Sequence, residues 1–332
     1  VSDGHVYLTR PLSDAVMTLA SGLPARLVTH EDKEFPPSRD QLLEECRGAV
    51  SIISMLTEKI DAEVMDAAGP GLKAIANVAV GYDNVDVGAA AERGIIVTNT
   101  PGVLDEATAD LAFALILATV RRLVEADRFI GTAKPWIWGP QSFIGLDLSA
   151  GATLGIVGLG RTGMAVARRA RAFRMNIIAT GSRASTAEAA DLEVQSCDLE
   201  TLLRTSDVVS LHCPLTSTNR HMIAAPQLAA MKPGSYLINT ARGPLVDEEA
   251  LADAVESGHL AGAGLDVHEF EPQVNERLRS LDKVVLLPHI GSAGAATRDA
   301  MGRLAVRNIE AILSGSAPLT PVTPVQETTT VG

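Results

Sequence analysis

The chain has 332 residues, 46% of them apolar and 20% charged, with a formal net charge of −12. That length is long for one domain and ample for two, each with its own core. The acidic balance holds no basic cluster, which argues against nucleic acid or an anionic membrane as partner. Cys46, Cys197 and Cys213 share no metal-ligand or redox spacing, so no metal is expected and a reducing compartment fits. The N-terminus lacks a basic region followed by an apolar stretch. The longest apolar run, 111–120, is too short to span a bilayer, so a cytoplasmic protein is expected.

Short β-branched runs at 5–9, 25–29, 49–54, 72–78 and 95–98 read as strands. The stretches between them, such as 40–47 and 58–68, read as helices. This alternation predicts a parallel sheet with helices on both faces. A turn at Asn99-Thr100-Pro101-Gly102 interrupts it. A long helix over 105–123 follows, with Asp105 as N-cap and Arg121 and Arg122 suited to its C-terminal dipole. Its apolar face is broader than a monomer surface needs. Trp136 and Trp138 come next, in a proline-containing segment.

A second alternating block starts at Thr153. Its strands are 153–157, 176–180, 208–212, 235–239, 262–265 and 284–287, and its helices include 161–173 and 248–257. A last helix covers 295–313, and the Pro- and Thr-rich tail, 315–332, is expected to be extended. The predicted class is α/β, with two doubly wound parallel sheets.

Gly158-Leu159-Gly160-Arg161-Thr162-Gly163 matches G-x-G-x-x-G between a predicted strand and a predicted helix with an apolar face. The first glycine permits the tight turn and the second lets a pyrophosphate approach the backbone. The third allows close helix–strand packing, and the helix N-terminus attracts the anion. An NAD site usually ends its next strand with an acid that accepts from the ribose. Here that strand runs out through Gly181-Ser182-Arg183, and the next acid is Glu188. Ser182 and Arg183 suit a 2′-phosphate, so NADPH is expected, with NADH possible. Downstream, Arg242, Glu271 and His289 offer a fixed cation for a carboxylate and a coupled acid–imidazole proton donor.

Several stretches carry a resemblance: VAVGYDNVD (78–86), TPGVLDEATADLAFALIL (100–117), TLGIVGLGRTG (153–163), HCPLT (212–216), LINTARGPLVDEEAL (237–251), GLDVHEFEP (264–272) and LPHIGSA (287–293). Over nearly its whole length the chain resembles the D-isomer-specific 2-hydroxyacid dehydrogenases, and within them the glyoxylate/hydroxypyruvate reductase branch. The resemblance implies a Rossmann cofactor domain, 101–290, inserted into a flavodoxin-like substrate domain made of 1–100 and 291–332. The active site would lie in a cleft at the carboxyl ends of the strands.

By this resemblance His289 protonates the carbonyl oxygen, Glu271 keeps His289 protonated, and Arg242 holds the substrate carboxylate. Val80 and Gly81 would offer backbone N–H groups to that carboxylate. Met55, Leu56 and Ser292 would line the substrate pocket. Thr108, Cys213, Pro214, Thr218, Thr240, Ala241, Asp266 and Gly291 match cofactor-lining positions, together with the glycine turn, Arg242 and His289. Helix 105–123 would build a homodimer. A tryptophan, Trp138 or Trp136, would reach the partner's substrate site or pack in the interface. His268 departs from the pattern by replacing an aromatic residue, and a packing or surface role is expected of it, with modulation of Glu271, three residues on, as the alternative. The implied activity is NADPH-dependent reduction of small 2-oxo acids, glyoxylate and hydroxypyruvate first, with 2-ketogluconate as the alternative. Formate oxidation is disfavoured because that branch places Gln where this chain has Glu271. The alternative of another class is a corepressor-like interaction protein that binds a dinucleotide.

Overall fold

The computed structural model describes residues 4–322. Two units make up the chain, Val1–Leu104 with Ala293–Gly332, and Asp105–Ser292. In the first unit, β1 (His5–Leu8), α1 (Asp14–Ser21), β2 (Arg26–Thr29), α2 (Arg39–Glu45), β3 (Ala49–Ser54), α3 (Ala62–Ala68), β4 (Ala74–Asn77), α4 (Val87–Glu92) and β5 (Ile96–Thr98) alternate as the sequence predicts. The sheet is parallel, in the order β2-β1-β3-β4-β5. That is the flavodoxin-like doubly wound order. Every residue of β3 is buried, as a parallel strand covered on both faces requires.

Side chains fix the helix starts. Ser38 and Gln41 form a capping box on α2, and Asp61 caps α3 through Val64 N–H. Residues 58–61 were expected inside that helix but precede it. Glu58 is buried instead, accepting from Thr9 Oγ1 (2.6 Å) and Met55 N–H (2.7 Å). A carboxylate occupied this way holds its stretch as a turn.

The second unit opens with α5 (Asp105–Val120) and α6 (Leu123–Gly131). The single helix expected over 105–123 is therefore two, and Asp105 is the first helical residue rather than the cap. Arg122 breaks the run with φ +54°, the left-handed region that side chains rarely adopt. Its guanidinium pairs with Glu125 (2.6 Å) and stacks 5.3 Å from the Phe143 ring centre. Leu146 N–H caps the Val120 carbonyl (3.0 Å), and a Cβ on Gly145 would sit 2.1 Å from that oxygen.

A seven-stranded parallel sheet follows. Its elements are β6 (Thr153–Val157), α7 (Arg161–Ala172), β7 (Asn176–Thr180), α8 (Ala187–Asp191), β8 (Val194–Ser196), α9 (Leu199–Thr205), β9 (Val208–Leu211), α10 (Ala225–Ala230), β10 (Tyr236–Asn239), α11 (Glu248–Glu256), β11 (Gly262–Leu265), α12 (Glu276–Ser280) and β12 (Val284–Leu286). The strand order is β12-β11-β10-β9-β6-β7-β8. This is the Rossmann order with one extra strand at an edge. Helix α5 packs on β10, β11, β12 and α7. A Cβ on Gly264 would lie 2.7 Å from Leu115 and Thr119, so the bare strand lets the helix close in. The broad apolar face of α5 is thus covered by its own unit, and its width is no argument for a dimer.

The chain returns to the first unit through α13 (Ala295–Leu313). The start of the tail is extended along β5, with Val322 N–H donating to Val97 O (2.8 Å). The rest of the expected extended tail, from 323 on, lies outside the described residues. Among the described residues, no helix is long and apolar enough to cross a membrane, and no cluster of His, Cys, Asp or Glu could hold a metal ion.

Candidate active site

Register places the candidate residues of the second unit along one edge. Val157 lies opposite both Thr180 and Leu211, so the turns after β6, β7 and β9 leave the sheet side by side. The strand order reverses between β6 and β9, where ligands of open α/β sheets bind. Gly158 has φ +95°, and a Cβ there would lie 2.6 Å from Cys213 N. A Cβ on Gly163 would lie 2.4 Å from Gly158 O, so this glycine lets α7 pack onto the turn.

Gly160 differs. Its φ is −82°, and a Cβ there would meet nothing within 4 Å. Neither conformation nor internal packing demands a glycine, yet the backbone lies open to an approaching group. Helix α7 starts at Gly160 with no side-chain cap and no acidic residue in its first turn. An uncapped helix N-terminus behind an open glycine fits the pyrophosphate of a nicotinamide dinucleotide. Thr240 Oγ1 and His212 Nδ1 are buried at neighbouring strand ends with no hydrogen-bond partner among the described residues, which also fits a polar ligand.

The turn after β7 places Ser182 and Arg183 at the surface. Glu188 lies close to them in space: its oxygens are 3.5 Å from Arg183 and 3.3 Å from Arg168. After β9, burial pushes the His212 ring down to about 4, so it is neutral. Its Nε2 is 2.8 Å from Ser210 Oγ. Burial pushes the Cys213 thiol up to about 11, which leaves it protonated and inert. Pro214 and Thr218 are exposed on the following loop.

The turn after β10 carries Arg242. Asn239 clamps it, accepting from Ala241 N–H (3.0 Å) and donating to Arg242 O (2.9 Å). One guanidinium nitrogen of the half-buried Arg242 donates to Ala241 O (2.8 Å). A Cβ on Gly243 would fall 1.9 Å from His268 O. Glycine therefore presses the Arg242 turn onto the loop that carries Glu271.

His289 Nδ1–H donates to Glu271 Oε2 at 2.9 Å. A carboxylate only accepts, so the proton sits on Nδ1 and the ring's outer nitrogen, Nε2, is left to face other groups. Burial pushes the Glu271 carboxyl up, but the bond and charge of His289 and the His268 N–H pull it further down. The net position is below the ordinary range. Glu271 is thus ionised at neutral pH.

His289 itself has φ +56°. For a histidine this is strained backbone, worth about 1–3 kcal/mol, held by its surroundings. Asp266 does the holding. Its backbone carbonyl accepts from His289 N–H (2.8 Å), and its carboxylate oxygens accept from Ile290 N–H (2.8 Å) and Gly291 N–H (2.7 Å). Burial raises the Asp266 carboxyl, opposed by the Ile290 N–H and the His289 charge. Asp266 thus shapes the histidine loop, a role beyond the cofactor-lining position that the resemblance implies. Thr108 is buried beside Gly291, and Ser292 is half-buried.

In the first unit, Met55 and Leu56 are half-buried after β3, and Val80 and Gly81 follow β4. The Val80 and Gly81 carbonyls accept from Asn99 (2.7 Å) and Asn77 (3.0 Å) side chains, which steadies the loop. In the second unit, Trp136 and Trp138 are 62% and 78% exposed, so neither belongs to its core. His268 is buried, as is Glu248, whose Oε1 lies 3.8 Å from the His268 ring.

The chain is similar to known proteins over most of its length. The family model "D-isomer specific 2-hydroxyacid dehydrogenase, NAD binding domain" matches residues 113–291. The chain is 49% identical to the glyoxylate reductase of Thermococcus gammatolerans over 321 residues, 96% of this chain and 95% of that one. A Thermus thermophilus protein of known structure, TT0316, superposes with a TM-score of 0.89 at 45% identity, covering 96% of this chain and 100% of that one. The NADPH-dependent glyoxylate/hydroxypyruvate reductase of Sinorhizobium meliloti, solved with NADP and malonate, gives a TM-score of 0.81 at 36% identity, covering 97% of each chain. The chain belongs to the D-isomer specific 2-hydroxyacid dehydrogenase family, in its glyoxylate reductase branch, and is an NAD(P)-dependent oxidoreductase.

Proposed function

We propose that the protein reduces small 2-oxo acids, glyoxylate and hydroxypyruvate first, to 2-hydroxy acids with NADPH. One observation carries this reading. The His289–Glu271 pair joins two loops, and the Arg242 turn is packed against the one that carries Glu271, along the edge that also bears the open glycine turn. The relatives named glyoxylate reductase, and the Sinorhizobium enzyme solved with NADP, support it.

A bound reduced nicotinamide supplies the hydride for the carbonyl carbon. Arg242 holds the substrate carboxylate with its planar fork. His289 gives the Nε2 proton to the carbonyl oxygen as negative charge develops there. Glu271 balances the imidazolium before the transfer and keeps the ring turned through Nδ1. The chain's departure at Ser182 and Arg183, with no acid ending β7, supports NADPH over NADH.

The active form is proposed to be a homodimer. Leu123, Ile130, Trp136, Ile137, Trp138 and Ile144 expose large apolar side chains around α6 and the segment after it. A soluble protein covers such a patch, and a second copy of this chain is the proposed cover. Light scattering should give twice the chain mass, and a monomer at assay concentration would remove the dimer.

Initial rates with NADPH and NADH on glyoxylate, hydroxypyruvate, pyruvate and 2-ketogluconate test the activity. Fast NADPH oxidation with the first two is expected. A preference for 2-ketogluconate would keep the chemistry and replace the substrate. Turnover with NADH alone would overturn the role of Ser182 and Arg183.

A further inference from the structure

Behind the His289–Glu271 pair lies a second imidazole and a second acid. His268 is 5% exposed and Glu248, the first residue of α11, is 3% exposed. The His268 backbone N–H donates to Glu271 Oε1 (3.0 Å), the oxygen that His289 does not use. Its ring Nε2 lies 2.9 Å from Leu287 O. A carbonyl only accepts, so Nε2 carries a proton and the ring donates to the residue two before His289. One residue thus ties the loop bearing Glu271 to the loop bearing His289.

The other ring nitrogen, Nδ1, is buried with no hydrogen-bond partner among the described residues. It faces Glu248 Oε1 at 3.8 Å. Burial raises the Glu248 carboxyl, opposed by the Glu269 N–H (2.9 Å) and the His268 charge. Glu269 is itself paired with Arg220 (3.2 Å) and lies 2.6 Å from the His221 ring.

We propose that His268 is a positioning residue for the reaction, a buried strut that holds Glu271 at hydrogen-bond distance from His289. The groups facing it are Glu248 from α11 and Glu271 from its own loop, and His289 through Glu271. The Arg242 turn lies against its backbone at Gly243. The strut therefore also fixes the floor on which the substrate-holding arginine rests. This inference rests on the proposed acid role of His289.

The test compares His268→Phe, which keeps a ring but cannot donate, with His268→Gln, whose amide can still donate to Leu287 O. Two readouts are taken. The first is the nuclear magnetic resonance titration of the His289 ring, assigned by its loss in His289→Ala. The second is the pH profile of kcat with glyoxylate and NADPH. In His268→Phe the His289 midpoint should move to lower pH. Its kcat should drop about ten- to a hundredfold, with the KM for glyoxylate changed less than about threefold. His268→Gln should restore most of both. An unmoved midpoint in a folded His268→Phe protein would overturn the strut, as would loss of NADPH binding equal to the loss of kcat. If the parent protein turns over no 2-oxo acid, the proposed function fails, and the titration still decides the strut.

Discussion

Each unit holds a histidine whose Nδ1 is 2.9 Å from a glutamate oxygen: His30 with Glu45 in the first, His289 with Glu271 in the second. The contacts match and the settings do not. The His30 side chain is 7% exposed, and Glu45 Oε2 is shared with the Tyr7 hydroxyl (2.7 Å). The His30 backbone N–H simply continues from β2 onto Leu8 O (3.0 Å). The hollow beside it, about 500 Å³, is lined by Glu31, Asp32, Phe35, Ser38 and Glu45, with no Arg or Lys among its lining residues. Such a wall repels a carboxylate. The His289 side chain is 25% exposed, its backbone is strained, and its partner's loop rests against the turn of Arg242. An acid–imidazole pair is thus common structural material. A nearby cation and a partly exposed ring are what would suit one of the two to the proposed action on an anion.

The sharpest break replaces each histidine in turn. His289→Ala should lower kcat by about 10²–10⁴-fold while NADPH still binds, because a positioned acid contributes about that much. His30→Ala should leave kcat within about twofold, since nothing in its surroundings attracts the substrate. Steady-state rates and fluorescence titration with NADPH read both. Equal losses would mean that the distinction by charge is wrong.

Next comes the partner acid. Glu271 lies below the ordinary carboxylate range, so its pairing with His289 is complete above that range and is lost as pH falls through the lowered value. Glu271→Gln keeps the shape and deletes the charge. The alkaline limb of the reduction profile, where His289 gives up its proton, should move to lower pH. At neutral pH kcat should fall about ten- to a hundredfold. A limb that stays in place would break the coupling.

Much of this contrast was legible in the sequence, and the reasons for the remainder are physical. Strands 49–54, 153–157, 176–180 and 262–265 emerge with the expected bounds, because long β-branched or glycine-bounded runs admit few alternatives. Strand β8 escaped notice because only Val194 of its residues is buried, and pairing with β7 defines it. The split of the 105–123 helix depends on Gly145 and Phe143 meeting its end, which no local pattern encodes. Arg242, Glu271 and His289 stood out by type and context. Their support did not: Asp266 holding the His289 loop, and Glu248 facing His268, are contacts between residues on different strand–helix units. Conversely, Glu188, the next acid after that strand, is 3.5 Å from Arg183.

That last contact weakens but does not remove the charge offered to a 2′-phosphate, since Glu188 also faces Arg168 (3.3 Å). Arg183→Ala should raise the KM for NADPH about tenfold and leave that for NADH within about twofold, as expected for loss of one charge-assisted contact. A parallel loss with both cofactors would assign Arg183 to the turn rather than to the phosphate. The reading extends the lesson of the two histidines, because there too local charge decides what a site accepts.

The smallest effect tests the structural member of the comparison. Tyr7 is fully buried, and burial, the Glu45 hydrogen bond and the Glu45 charge all push its hydroxyl far above the ordinary range. It is therefore a donor at every pH where the protein is studied. Its contribution to stability is complete below the ordinary tyrosine value and is lost only as strongly alkaline pH approaches the raised one. Tyr7→Phe removes that donor from Glu45 and leaves His30 in place. The cost should be about 1–3 kcal/mol of unfolding free energy, the range for a bond to a charged acceptor. Chemical denaturation should show the loss at neutral pH, while kcat and both cofactor constants stay at the parent values. A fall in kcat out of proportion to stability would mean that the first unit's histidine and glutamate act beyond the fold, and the contrast between the two pairs would have to be redrawn.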